Sequence, residues 1–259
     1  MKRVRLNSRR ACRQSWRAVR QQPLLLGFSL VSLGAHLLGW ALFAAAEQVD
    51  SGVFAALLHL LGIAIYGGSL LWMMEGFTQV GLRLAQGQPL AWHELSPGAC
   101  RHSGRLCLCL GALAAALAAT GLITGLLWSL LLLALPAMSV VPALLGLIAA
   151  GAVILSQLFG PCLVVDTRLG TASMFRQGVW LLEHHWAGLI ELSGYLLALL
   201  LLPLLAGLLA EALLEGLGIA ATVLILVVVL PLITTSVTGA YWQLRPELTQ
   251  TASIQRSDR

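Results

Sequence analysis

Six long apolar blocks occupy most of this sequence, and their length leaves the chain few ways to fold. Residues 24–46, 53–74, 106–135, 140–165 and 217–242 carry almost no charge, and 187–210 holds a single acid, Glu191. A helix rising about 1.5 Å per residue needs roughly 20 residues to cross a hydrocarbon core of about 30 Å, and each block exceeds that. A membrane barrel would show short alternating strands instead, so every backbone polar group must be satisfied within helices. Only 10% of residues are charged and 58% are hydrophobic, against about 25% charged in an average soluble domain, which excludes a water-soluble fold. The expected fold is an all-α polytopic membrane bundle of about six transmembrane helices with short interfacial amphipathic helices. The expected organisation is a basic amphipathic segment at 1–23, a six-span domain at 24–242 and a polar tail at 243–259.

Charge sets the expected orientation. If the first span starts inside, all sixteen Lys and Arg fall on cytoplasmic segments, eight of them before residue 24 (Lys2, Arg3, Arg5, Arg9, Arg10, Arg13, Arg17, Arg20). The opposite loops carry only Glu47, Asp50, Glu211 and Glu215. Basic loops are retained on the cytoplasmic side during insertion, so both termini are expected there, in a bacterial inner membrane. Tryptophan agrees: Trp16, Trp72, Trp92, Trp180, Trp186 and Trp242 fall at the inner boundary, where an amphipathic ring prefers the headgroups. Ala44-Ala45-Ala46 before Glu47 could be read as a signal cleavage site, but the preceding apolar core is longer than the usual 7 to 15 residues.

The first 23 residues read as a basic helix on the inner leaflet, which anionic lipid attracts by about 1 kcal/mol per charge near the surface; the blander reading is a simple orientation anchor. Two inner connectors also read as interfacial amphipathic helices. Phe77, Val80 and Leu84 recur among Gln79, Arg83 and Gln86 before Gly87 and Pro89, and Leu169, Ala172 and Phe175 alternate with Arg168, Arg176 and Gln177. The shared Arg83-Leu84-Ala85 and Arg168-Leu169-Gly170 hint at an internal repeat. Pro203 and Pro231 should interrupt the last two spans and free carbonyls at Leu199 and Val227.

Several residues carry a resemblance. The basic tail, the short polar helix after the second span, Pro161 to Asp166 followed by Gly170 and Ala172, and a last span with Pro231 closing on Ala240-Tyr241-x-x-Leu244 resemble a family of uncharacterised bacterial six-span proteins. That family is similar to the membrane domain ahead of the catalytic domain in some bacterial glycerophosphodiester phosphodiesterases. The likeness covers nearly the whole chain. Gly178 stands where a Ser is expected, and no catalytic phosphodiesterase domain is present, so the resemblance implies no activity.

Intramembrane polar residues are the candidate site. Glu191 lies about one turn inside the fifth span, where an acid needs a partner or water, and by depth it is level with Thr234, Thr238 and Tyr241. That pattern suits a proton or substrate relay or, more plainly, an interhelical hydrogen bond. His36 and His59 fall in the outer halves of the first two spans, where they could meet or could each bond a neighbouring helix. Cys100, His102, Cys107 and Cys109 are soft-metal donor types, but their spacing matches no zinc pattern and residues two apart on a helix diverge. Glu183-His184-His185 fits no H-E-x-x-H site, and no phosphate loop or nucleophile elbow occurs. Gly121 and Gly125 have helix-packing spacing, with packing inside the chain the expected use. No catalytic residue, metal or cofactor is therefore expected. The preferred reading is a non-enzymatic protein that organises lipids, anionic ones among them, or a protein partner or second copy at its cytoplasmic face. The alternative is a small transporter or channel using kinked spans five and six with Glu191. Nucleic acid is not expected, because membrane orientation accounts for the arginines.

Overall fold

The computed structural model describes residues 6–88, 90, 95, 101–134, 138, 140–167 and 169–257, with side chains through residue 248. Lys2, Arg3, Arg5, Pro89, Trp92, Cys100, Pro136, Arg168 and Arg259 lie outside the described residues, as does the side chain of Arg256. In chain order the described helices are α1 (Ser8–Gln21), α2 (Leu24–Ala46), α3 (Gly52–Ala85), α4 (Ser103–Ala134), α5 (Val140–Ser156), α6 (Gly160–Asp166), α7 (Thr171–Leu213) and α8 (Leu217–Ser257). No strand occurs among the described residues. Six segments are long and apolar enough to cross a membrane: α2, α3, α4, the α5–α6 pair, α7 and α8. The chain is an all-α multi-pass membrane protein. Six crossings bring α1 and the far end of α8 to one end of the bundle, called here the basic end.

Packing is uneven along the bundle axis. Towards the acidic end, large apolar side chains such as Leu122, Leu133, Leu147, Leu209 and Leu224 are exposed, as expected where lipid is as apolar as the protein and no hydrophobic force draws helices together. The buried clusters lie nearer the basic end. One joins Phe159, Leu163, Met174, Leu181, Leu189, Leu192 and Tyr241; the other joins Val19, Leu25, Phe28, Phe77, Val80 and Leu232. Phe28 sets its ring edge-on against Trp72 and Phe77, at centroid distances of 5.2 and 4.8 Å. The α2–α3 hairpin closes where Gly39 abuts the Tyr66 backbone, which leaves no room for a side chain, and where Gly62 packs closely on the Phe43 ring.

The two interfacial connector helices are not found as separate elements. α3 runs without interruption to Ala85, and Phe77 and Val80 are 1% and 2% exposed in the core rather than at a lipid surface. Gly87 at φ 73° ends the helix, with Gln88 N–H donating to Arg83 O and Gly87 N–H to Leu84 O. That is a Schellman cap, whose left-handed position favours glycine. After α6, residues from Thr171 belong to α7, where Met174, Gln177, Gly178 and Leu181 are the buried positions. Only His185, at φ −130° and ψ 22°, departs from helical backbone inside α7.

The interruptions also fall elsewhere than expected. α7 and α8 stay helical through Pro203 and Pro231, while the fourth span breaks at 157–159. Pro161 enters at the first turn of α6, where its missing N–H costs nothing; inside a continuous helix its ring would clash with the carbonyl four residues earlier.

Candidate functional site

α1 is built to dock on one side and to present charge on the other. Asn7 caps it, its Oδ1 accepting from Arg10 N–H at 2.9 Å. Ser8, Ala11, Cys12, Ser15 and Val19 recur at three- and four-residue steps and are buried, a narrow seam of mostly small side chains. That seam lies on α8. Asn7 N–H donates to Gln243 Oε1 at 3.0 Å, Ala11 faces Gly239, and Ser15 Oγ donates to Leu232 O at 2.8 Å while also meeting Thr235 Oγ1. Arg9, Arg10, Arg13, Arg17, Arg20 and Trp16 are left exposed. The helix expected to lie on the bilayer is thus held by protein along one face.

The sequence-predicted polar residues separate into different environments. Glu191 does not reach Thr234, Thr238 or Tyr241. Its carboxylate is 54% exposed and lies 3.6 Å from Arg9 Nε. Thr238 bonds its own helix at Thr234 O, 3.0 Å away, and fills the space left by Gly81 on α3. His36 Nδ1 is 3.2 Å from Ser69 Oγ, with its ring 3.7 Å from Tyr66. His59 Nδ1 is 2.9 Å from Ala55 O of its own helix, beside Phe43. The two histidines therefore do not meet. Glu191 and Tyr241 have partners that the depth argument could not supply.

Two buried or nearly buried carboxylates that the sequence reading passed over tie the basic end together. Glu75 is fully buried. Its Oε1 accepts from the His102 backbone N–H at 2.8 Å and from Gln79 Nε2 at 3.0 Å, and its Oε2 accepts from Ser103 Oγ at 2.7 Å. Gln79 is one turn on along α3, while His102 and Ser103 stand at the start of α4, where orphan N–H groups and the positive end of the helix dipole suit an anion. Asp166, the last residue of α6, takes a bidentate pair from Arg245, Nε to Oδ2 at 2.8 Å and a terminal guanidinium nitrogen to Oδ1 at 3.0 Å, and Tyr241 Oη donates at 2.9 Å. Arg105 donates to Thr167 O and Leu169 O at 2.9 and 2.6 Å, fixing the turn that follows. Glu75 sits one residue past the boundary drawn for the second span, and Asp166 one past that of the fourth. An acid just outside an apolar block is the signal that could have found both.

No family model, no curated protein and no solved structure matches this chain. The site is therefore interpreted from its own geometry. At Gly178 a side-chain carbon would overlap the Ser156 carbonyl oxygen and crowd Gln157 Nε2, so glycine there is what lets the broken fourth span and α7 approach so closely. His185 Nε2 lies 2.9 Å from Glu247 Oε2, which pins the α7 kink to α8, and His184 stacks on Trp180 at 4.4 Å. Cys107 is exposed and Cys109 buried on α4, pointing apart, while Cys100 lies outside the described residues. Among the described residues no group of three potential metal ligands converges. Burial pushes the Cys12 thiol above its ordinary range. Gly121 and Gly125 leave open space where a side chain would stand, in a groove of α4 that Ala143 and Gly146 of α5 also line.

Proposed function

We propose that this chain is a non-enzymatic inner-membrane protein that recruits anionic lipid at its basic end, with both termini cytoplasmic. The observation that carries this reading is α1: one face seated on α8, the other presenting Arg9, Arg10, Arg13, Arg17 and Arg20 beside Trp16. A charged helix free to leave the protein would serve only as an orientation anchor. A docked one holds its arginines in fixed positions, which is what recognition requires. Asp166 is paired with Arg245, Glu247 lies against His185 and Glu191 against Arg9, so Arg10, Arg13, Arg17 and Arg20 supply the positive field, which attracts anionic lipid by about 1 kcal/mol per charge.

The test uses the full chain in nanodiscs of mixed zwitterionic and anionic lipid, with lipid retention read by native mass spectrometry after gentle delipidation. Enrichment of anionic lipid that falls on raising salt is the expected result. Equal retention of zwitterionic and anionic lipid would remove the reading. The alternative, a small transporter or channel using spans five and six with Glu191, would instead show a solute flux in proteoliposomes that Glu191→Gln abolishes.

A further inference from the structure

We propose that the cleft between α1, the end of α3 and α8 is a binding site for one phospholipid headgroup, a phosphodiester carrying free hydroxyls. This rests on the lipid-recruiting reading above and narrows it from a charged surface to a built site. The cleft encloses about 790 Å³, within the roughly 300–1,000 Å³ typical of small-molecule sites. Arg10, Gln14, Arg17 and Gln21 form one wall as a stripe on α1, with Gln88 beyond the α3 cap and Trp242 on α8 facing them.

The chemistry of that lining selects the ligand. Arg10 and Arg17 are seven residues apart, two turns or about 10.5 Å along the helix. Neither has an ion-pair partner among the described residues, and no carboxylate lines the cleft. Guanidinium groups present forked donors that match phosphate oxygens. An amine-bearing headgroup would want an acid, and none lines the cleft among the described residues. Instead Gln14, Gln21 and Gln88 bring amides that make no side-chain hydrogen bond among the described residues. Each amide offers donors and an acceptor together, the complement of a hydroxyl. Trp242 sits where indoles mark the headgroup level, and Gly239 leaves its backbone open at the cleft floor.

The site exists because of two local features already described. The Schellman cap at Gly87 turns the chain so that Gln88 reaches the cleft instead of continuing α3, and the small-residue seam brings α1 close enough to α8 for its Arg10 and Arg17 to overhang Trp242 and Gly239.

The experiment compares lipids of equal charge. Full-length protein in nanodiscs is challenged with phosphatidylglycerol and with phosphatidic acid held at one charge by pH, and retained lipid is counted. Wild type is expected to favour phosphatidylglycerol about tenfold, the worth of one or two neutral amide–hydroxyl bonds. Arg10→Gln/Arg17→Gln and Gln14→Ala/Gln21→Ala should bring that ratio to one, while Arg20→Gln, outside the cleft, should lower both lipids together and keep the ratio. Thermal shift by glycerol 3-phosphate or inorganic phosphate alone forms the second arm. Stabilisation by either soluble phosphate equal to that by the lipid would overturn assignment to a membrane ligand. A wild-type ratio of one with general anionic preference intact would overturn the cleft and leave the broader reading standing. No anionic preference at all would remove both.

Discussion

Replacing Asp166 by Asn tests whether the broken fourth span is anchored to α8 by charge. Asp166 closes α6, the unfavourable end of a helix for an anion, and its side chain is 11% exposed against 38% for Arg245. Asn keeps the shape but removes the charge and turns one acceptor into a donor, which faces Arg245 or Tyr241. Hydrogen bonds to a charged group contribute about 1.5–3 kcal/mol. Arg245 is more than one-third exposed and stacks over Trp242 at 4.5 Å, so water and the indole recover part of the loss. We expect Asp166→Asn to destabilise by about 2 kcal/mol and Tyr241→Phe by about 1 kcal/mol. The double variant should lose less than the sum, because both act through one carboxylate. Equilibrium unfolding in mixed micelles, titrated with a denaturing detergent, gives the cycle. Additive losses, or an unchanged midpoint for Asp166→Asn, would show that the carboxylate does not organise this end.

Three further outcomes follow from particular contacts. Gly178→Ser should destabilise by about 1–3 kcal/mol or abolish accumulation of folded protein, because the added atoms meet the Ser156 carbonyl; a variant as stable as wild type in a thermal melt would contradict the close approach. Glu191→Gln should change stability by less than about 1 kcal/mol, since its pair with Arg9 is 3.6 Å long and solvent-exposed, and a larger loss in the same melt would point to a partner other than Arg9. With maleimide near neutral pH, Cys107 should react well before Cys12. Burial raises the Cys12 thiol, which lowers its thiolate fraction, so Cys12 labelling should accelerate as pH climbs; site-resolved mass spectrometry showing Cys12 labelled first would refute its burial.

The spans were legible because lipid imposes a length and an apolarity that any one segment must satisfy alone. What lay between them was not. Phe77, Val80 and Leu84 have the spacing of an interfacial helix, but spacing reports one face and not what covers it; here α2 and α8 do, and nothing before Gly87 stops α3. The break at 157–159 did leave a trace in Pro161, which competes poorly for notice with Pro203 and Pro231 in more apolar surroundings. Tyr241 was visible as polar, yet its partner Asp166 lies on another helix 75 positions away, a pairing no periodicity can supply. Glu191 was found by its cost in lipid, and its relief by Arg9 depends on α1 folding back, which charge counting cannot foresee.

The seat of α1 on α8 has a bearing on biogenesis. α1 is synthesised before α8, on which it rests, so its arginines are at the bilayer surface before their seat exists and can hold α2 in its orientation meanwhile. Only when α8 arrives does Ser15 find the Leu232 carbonyl and the cleft gain its third wall. If the cleft reads headgroups as proposed, nascent chains arrested before residue 217 would be membrane-integrated yet unable to discriminate them, because α8 supplies one of its walls.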